Sequence, residues 1–111
     1  MDIKTRFAPS PTGKLHIGGA RTALFNYLFS KYNQGEFFVR FENTDLERST
    51  IDNVKSIEES LNWLKISPSS KIIFQSENLN RHIEIANYLV TNGFAYKCYL
   101  SNEELESLRI K

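Results

Sequence analysis

The stretch Arg6-Phe7-Ala8-Pro9-Ser10-Pro11-Thr12-Gly13-Lys14-Leu15-His16-Ile17-Gly18-Gly19-Ala20 decides the fold. An apolar run, Ile3 to Ala8, enters it, and an amphipathic run, Ala20 to Tyr32, leaves it. Two prolines, a serine, a threonine and three glycines lie between. The pattern predicts a strand that stops hard, a tight loop, and a helix opening on Gly18-Gly19. Such a junction presents free backbone N–H groups and the positive end of a helix dipole, which suits an anionic phosphate. His16 stands beside the glycines, placed to reach the same ligand. Taken alone, the glycines fit a turn and a helix start equally well, because their spacing is neither a P-loop nor GxGxxG. His16 by itself is more often a surface residue, and its functional reading depends on the loop around it.

Outward from that loop, the helix carries apolar residues at Ala20, Ala23, Leu24, Tyr27, Leu28 and Tyr32, with Phe25 and Phe29 widening the stripe. After Asn33-Gln34, Gly35 is the expected left-handed stop. Phe37-Phe38-Val39-Arg40-Phe41-Glu42 is nearly continuous in apolar residues and predicts a strand buried on both faces of a parallel sheet. Strand, loop, helix and strand make a βαβ unit with a right-handed crossover. Asn43 to Ser49 forms a polar connection. Thr50 then serves as N-cap for a helix holding Ile51, Val54, Ile57, Leu61 and Leu64, which Ser67-Pro68-Ser69-Ser70 breaks.

Lys71 to Gln75 reads as a short strand, and Leu79, Ile83, Ala86, Leu89 and Val90 mark a third helix closed by Asn92-Gly93. Phe94 to Tyr99 is a last strand-like run. Ser101 with Glu104 is a capping box for a final helix. Strands alternating with helices argue an α/β fold of the doubly wound kind, a parallel sheet with flanking helices.

The 111 residues fit one domain, and 41% hydrophobic with 13% aromatic residues is the composition of a folded chain. A net charge of +1 gives no global basic field for nucleic acid. Lys14, Arg21, Arg40, Lys71, Arg81 and Lys97 are scattered, so solvated surface is their default, with a local tRNA acceptor-stem face the alternative. The single cysteine, Cys98, excludes an internal disulfide and suits a reducing cytosol. It reads as a buried small hydrophobe, and His82 as a surface residue. No apolar run approaches the ~20 residues of a membrane span, and Met1 to Arg6 lacks a signal-peptide core. Ser101 to Lys111 reads as opening turns without a stop, so the chain is expected to be the amino-terminal piece of something longer.

Pro9-Ser10-Pro11-Thr12-Gly13-Lys14-Leu15-His16-Ile17-Gly18-Gly19 resembles the HIGH signature region of class I aminoacyl-tRNA synthetases. More narrowly, Thr5 to Gly13, Gly19 to Leu24, Val39 to Ser49, Tyr96 to Tyr99 and Asn102 to Glu106 resemble the bacterial glutamyl-tRNA synthetases. The likeness covers essentially the whole chain. It implies the first half of a Rossmann-like nucleotide-binding fold over residues 1–111, with residues 94–111 starting the inserted acceptor-binding region. It also implies a two-step reaction. Glutamate and ATP (as its Mg2+ complex) form glutamyl-adenylate, and the glutamyl group passes to the 3′ end of tRNA(Glu).

By that resemblance, Pro9, Ser10, Pro11, Thr12, Gly13, His16, Gly18 and Gly19 bind ATP. His16 is the catalytic residue, stabilising an in-line displacement rather than attacking. Arg6, Ala8, Ser10 and Glu42 bind L-glutamate: Arg6 offers a planar fork to a carboxylate, and Glu42 a negative charge to the ammonium. Arg6 and Glu42 are expected together at the carboxyl edge of adjacent strands. The family resemblance further implies a cytoplasmic, monomeric parent without membrane contact.

Three positions depart from the family pattern. Gly19 ends the signature where many class I enzymes have a second histidine, which suits the glutamyl type. Asn43 stands where the family usually has Asp. Leu100 stands where some members complete a Cys-x-Cys pair begun at Cys98, so no structural zinc is expected. No Lys-x-Ser-Lys-like loop occurs, so the chain alone is expected to be inactive. The alternatives are a non-catalytic nucleotide- or tRNA-binding module and a shortened paralogue that glutamylates a modified tRNA base.

Overall fold

The computed structural model describes residues 2–109. They fall into two compact units, residues 1–79 and 80–111, each taken by itself below. The first holds β1 (Lys4–Phe7), α1 (Ile17–Tyr32), β2 (Glu36–Phe41), α2 (Ile51–Trp63), β3 (Ile73–Phe74) and a 3-10 turn (Gln75–Asn78). The second holds α3 (Leu79–Thr91), all but its first residue, and α4 (Asn102–Arg109).

The strands form one sheet in the order β1-β2-β3, all parallel, with Arg6 paired to Phe38, Phe7 to Val39 and Phe41 to Phe74. This is the expected α/β architecture. The order contains no reversal, and one buried cluster joins Phe7, Phe37, Val39 and Phe41 of the strands to Ala23 of α1 and to Ile57 and Leu61 of α2. Both crossover helices therefore cover the same face of the sheet. Tyr27 meets Phe37 edge-on at 5.6 Å, and Phe41 stacks on Phe74 at 5.4 Å. The Thr5 hydroxyl donates to the Asn26 carbonyl at 2.9 Å and ties β1 to α1.

The expectation that β2 is buried on both faces is overturned. Phe37, Val39 and Phe41 are buried, but Phe38 and Arg40 between them are only half-buried, because no helix of residues 1–79 covers their face. The stripe on α1 is also corrected. Its buried side is Ala23 and Ser30, with Asn26 and Tyr27 half-buried, whereas Leu24, Phe25, Leu28, Phe29 and Tyr32 are exposed. Apolar residues occur on several sides of the helix, so its sequence does not announce which side meets the sheet. α2 behaves as expected from Thr50, whose hydroxyl accepts from the Asn53 N–H at 3.2 Å, through Ile57 and Leu61, except that Ile51 is exposed.

Helix ends explain further differences. Gly35 is not the left-handed residue; Gln34 is, at φ 54°. The Gly35 N–H returns to the Ser30 carbonyl at 2.7 Å and that of Gln34 to Lys31 at 3.2 Å, a Schellman closure. Gly35 is needed for close approach instead: a Cβ there would lie 2.3 Å from the Ile3 carbonyl oxygen. Lys65, at φ 60°, closes α2 in the same way and delivers Ile66 to the core. Gly93, at φ 76°, closes α3 as the sequence predicts.

β3 is shorter than the predicted Lys71 to Gln75. Ahead of it, Ser69 meets the edge of β2, donating its N–H to the Phe37 carbonyl at 2.7 Å and accepting the Phe37 N–H on its hydroxyl at 3.0 Å. Gln75 then opens the 3-10 turn. Phe94 to Tyr99 forms no strand. A strand needs a neighbour for its backbone groups, and here the Phe94 and Ala95 N–H groups turn back onto the Leu89 carbonyl. Cys98, expected to be buried, is exposed on that segment. His82 is exposed, as expected. The Ser101–Glu104 capping box forms in both directions, at 2.7 and 3.2 Å.

Candidate active site

β1 ends at Phe7, and the chain crosses to α1 through Pro9 to His16. The side chain of His16 is itself the N-cap: its Nδ1 accepts from the Gly18 N–H at 3.1 Å. One backbone N–H that the sequence leaves for a ligand is therefore already engaged, and the exposed imidazole is oriented by the helix it opens. A Cβ at Gly18 would meet the His16 ring at 2.9 Å, and one at Gly19 would meet Leu15 at 2.7 Å. Both glycines thus serve the loop's own packing. Gly13 differs, since a Cβ there would meet nothing within 4 Å.

These residues surround a cavity of about 320 Å3 whose walls include Pro9, Ser10, Thr12, Gly13, His16 and Gly19. Most of the residues that the resemblance assigns to ATP are brought together there. Lys14, read from sequence as scattered surface charge, lines the same cavity and adds a cation beside His16. Pro11 does not reach it: the ring is buried, and its carbonyl accepts from the Thr50 N–H at 3.4 Å, pinning the loop to the start of α2. Gly18 does not line it either. A neighbouring cavity of about 540 Å3 shares Leu15 and His16 and extends along α2 past Glu59, Ser60 and Trp63. The core stripe of α2 does not point to this cavity, although the repeat Ser56, Glu59, Ser60, Trp63 marks a second helix face at spacings of three and four.

The residues assigned to glutamate sit differently from the expectation. Arg6 is exposed, Ala8 half-buried and Ser10 exposed. Arg6 pairs in register with Phe38, whereas the Glu42 N–H donates to the Pro9 carbonyl at 2.9 Å. Glu42 is four residues past Phe38, ~13 Å along a strand. It therefore stands beside Pro9 and Ser10 rather than beside Arg6. Its carboxylate is held by Arg40 at 2.5 Å.

Asn43 has a visible role: its Nδ2 donates to the Ser76 hydroxyl at 2.9 Å, and its Oδ1 accepts from the Ser76 N–H at 3.1 Å. The connection after β2 is thereby latched to the turn after β3. Further along it, Asp45 is held below its ordinary pKa of 3.8 by hydrogen bonds from the Arg48 side chain and backbone, helped by the Arg48 charge. Among the described residues, no group of three His, Cys, Asp or Glu side chains is placed to hold a metal ion, and no helix is long and apolar enough to cross a membrane.

The parallel sheet, with a polar loop and a helix N-terminus at the carboxyl end of its first strand, defines a Rossmann-like α/β domain. Residues 2–111 match the family "tRNA synthetases class I (E and Q), catalytic domain", and the chain belongs to that family. It is 56% identical over 104 residues to glutamate–tRNA ligase 1 of Ehrlichia canis, and 54% identical over 109 residues to glutamate–tRNA ligase 1 of Granulibacter bethesdensis. Those matches cover 94% and 98% of this chain but 22% and 23% of the two relatives. The fold superposes with a TM-score of 0.87 on a glutamate tRNA ligase from Elizabethkingia meningosepticum, solved in complex with its amino acid. That likeness, at 35% identity, spans 99% of this chain and 24% of the other.

Proposed function

We propose that the chain carries one wall of the active site of a glutamate–tRNA ligase, which activates L-glutamate with Mg2+-ATP and transfers it to tRNA(Glu). The observation that carries this reading is the single cavity in which Ser10, Thr12, Gly13 and His16 meet at the opening of α1. His16 is fixed by its cap, so it presents a hydrogen-bond donor to a phosphate oxygen without reorganising during the reaction. Lys14 adds positive charge to the same cavity. Arg6 takes a substrate carboxylate, Glu42 takes the ammonium, and Ala8 and Ser10 line the path between them.

The reading extends to organisation and setting. Residues 1–111 form the amino-terminal part of the Rossmann-like catalytic domain, with residues 94–111, where Phe94, Tyr96 and Tyr99 are exposed, starting an inserted acceptor-binding region. The setting is the cytoplasm, where the exposed Cys98 stays reduced.

Two measurements test the reading. The 111-residue chain catalyses no ATP–pyrophosphate exchange, because no lysine-rich signature loop is present to stabilise the leaving pyrophosphate. In the complete synthetase, His16→Ala lowers aminoacylation of tRNA(Glu) by ~100-fold. An unchanged rate in that variant removes His16 from the mechanism.

A further inference from the structure

We infer that Arg40 is a positioning residue of the acidic-amino-acid site, fixing Glu42 so that one carboxylate oxygen is left for the substrate ammonium. The inference rests on the proposed glutamate site and adds a residue to it. Arg40 and Glu42 are two residues apart along an extended segment, so their side chains leave the same face of the sheet, the face that also carries Arg6. The Arg40 guanidinium donates to Glu42 Oε1 at 2.5 Å, with the two side chains only 30% and 35% exposed. Backbone and side chain of Glu42 are thus both held, the backbone N–H by Pro9 and the carboxylate by Arg40. Oε2 takes part in none of these contacts.

Stability does not account for this arginine. Its Nε is buried and has no acceptor among the described residues. Burying a guanidinium N–H without a partner is unfavourable, and an apolar residue at a central-strand position would avoid that cost. Such local violations are expected where a side chain is kept for a site rather than for the fold. A carboxylate without a partner at this edge would be free to rotate. Fixed by Arg40, it is preorganised for an ammonium.

The test uses the complete synthetase and two probes, L-glutamate and glutarate, which has both carboxylates and no ammonium. Affinities are read from backbone amide shifts of residues 8–10 and 40–43. The unsubstituted synthetase binds glutamate about tenfold more tightly than glutarate, the worth of one hydrogen bond to a charged group. Arg40→Gln cuts that ratio to about twofold or less while leaving glutarate affinity unchanged, and Arg40→Lys, which keeps the cation, restores most of it. An undiminished ratio in Arg40→Gln, or an equal loss for both probes, overturns the inference and leaves the glutamate site standing. Equal affinity of the unsubstituted synthetase for the two probes, or no response to either, defeats the site itself and the inference with it.

Discussion

Phe37, Val39 and Phe41 leave one face of β2 for the core, each 1% exposed or less, while Phe38, Arg40 and Glu42 alternate with them and stay half-buried. The first set packs against α1 and α2 through Ala23, Ile57 and Leu61. The second set faces no helix of residues 1–79 and carries an ion pair instead. One strand therefore does two jobs with residues of period two. The cause is topological: with the order β1-β2-β3, both crossovers fall on one face, and the other carries Arg40 and Glu42. Core packing and the ion pair are thus separated across the thickness of a single sheet.

The largest expected effect follows from that separation. Phe41→Ala empties a site packed by Phe74 and the central cluster, and it lowers the free energy of unfolding by about 3–5 kcal/mol. Phe38→Ala, three residues away on the other face, costs less than half as much, because part of the ring is already in water. Urea denaturation of the two variants measures the difference. Equal losses would mean that the second face is packed as well, and the comparison would fail.

The same contrast separates what the sequence revealed from what it hid. α2 was legible because Ile57 and Leu61 recur against a polar background. α1 was not, because Leu24, Phe25, Leu28 and Phe29 add apolar residues on sides that do not meet the sheet. Phe94 to Tyr99 has strand composition, but composition cannot supply the hydrogen-bonding neighbour. Gly35 has the composition of a left-handed stop, but its freedom from a side chain matters at the Ile3 carbonyl, a contact across 32 residues of chain.

In the candidate site, the loop from Pro9 to Gly19 is legible through its family wording, and all of it but Pro11, Ile17 and Gly18 lines one cavity. Arg40 reads as one of several scattered surface charges, although its spacing of two from Glu42 on a strand signals that the two share a face. Asn43 stands out in sequence only as a departure from the family's Asp; its latch is not legible, since its partner Ser76 comes from the far side of α2 and β3.

A smaller effect probes the edge of the buried face. Ser69 completes the pairing of Phe37 where β3 has not yet begun, through its hydroxyl at 3.0 Å. Ser69→Ala leaves the Phe37 N–H without that acceptor and costs about 1 kcal/mol. Hydrogen exchange of the Phe37 amide reports it directly. Faster exchange at Phe37 with unchanged exchange at Val39 locates the loss at the strand's opening; uniform acceleration would show that the whole strand depends on it.

The smallest effect belongs to the polar connection that follows Glu42. Asp45 is half-buried, and Arg48 holds its carboxyl below the ordinary 3.8 by hydrogen bonds from side chain and backbone. A lowered folded pKa means that the charged form favours the folded state. The contribution is present above the ordinary value and is lost as pH falls through the lowered one. Thermal melts of Asp45→Asn and the unsubstituted chain should therefore differ slightly at neutral pH and converge below pH 3.8. Screening by added salt should shrink the gap further. If Asp45→Asn instead destabilised the chain as much as Ser69→Ala at every pH, the connection would be holding the fold through its hydrogen bonds. The division between a stabilising buried face and a charged, half-buried one would then stop at the end of β2.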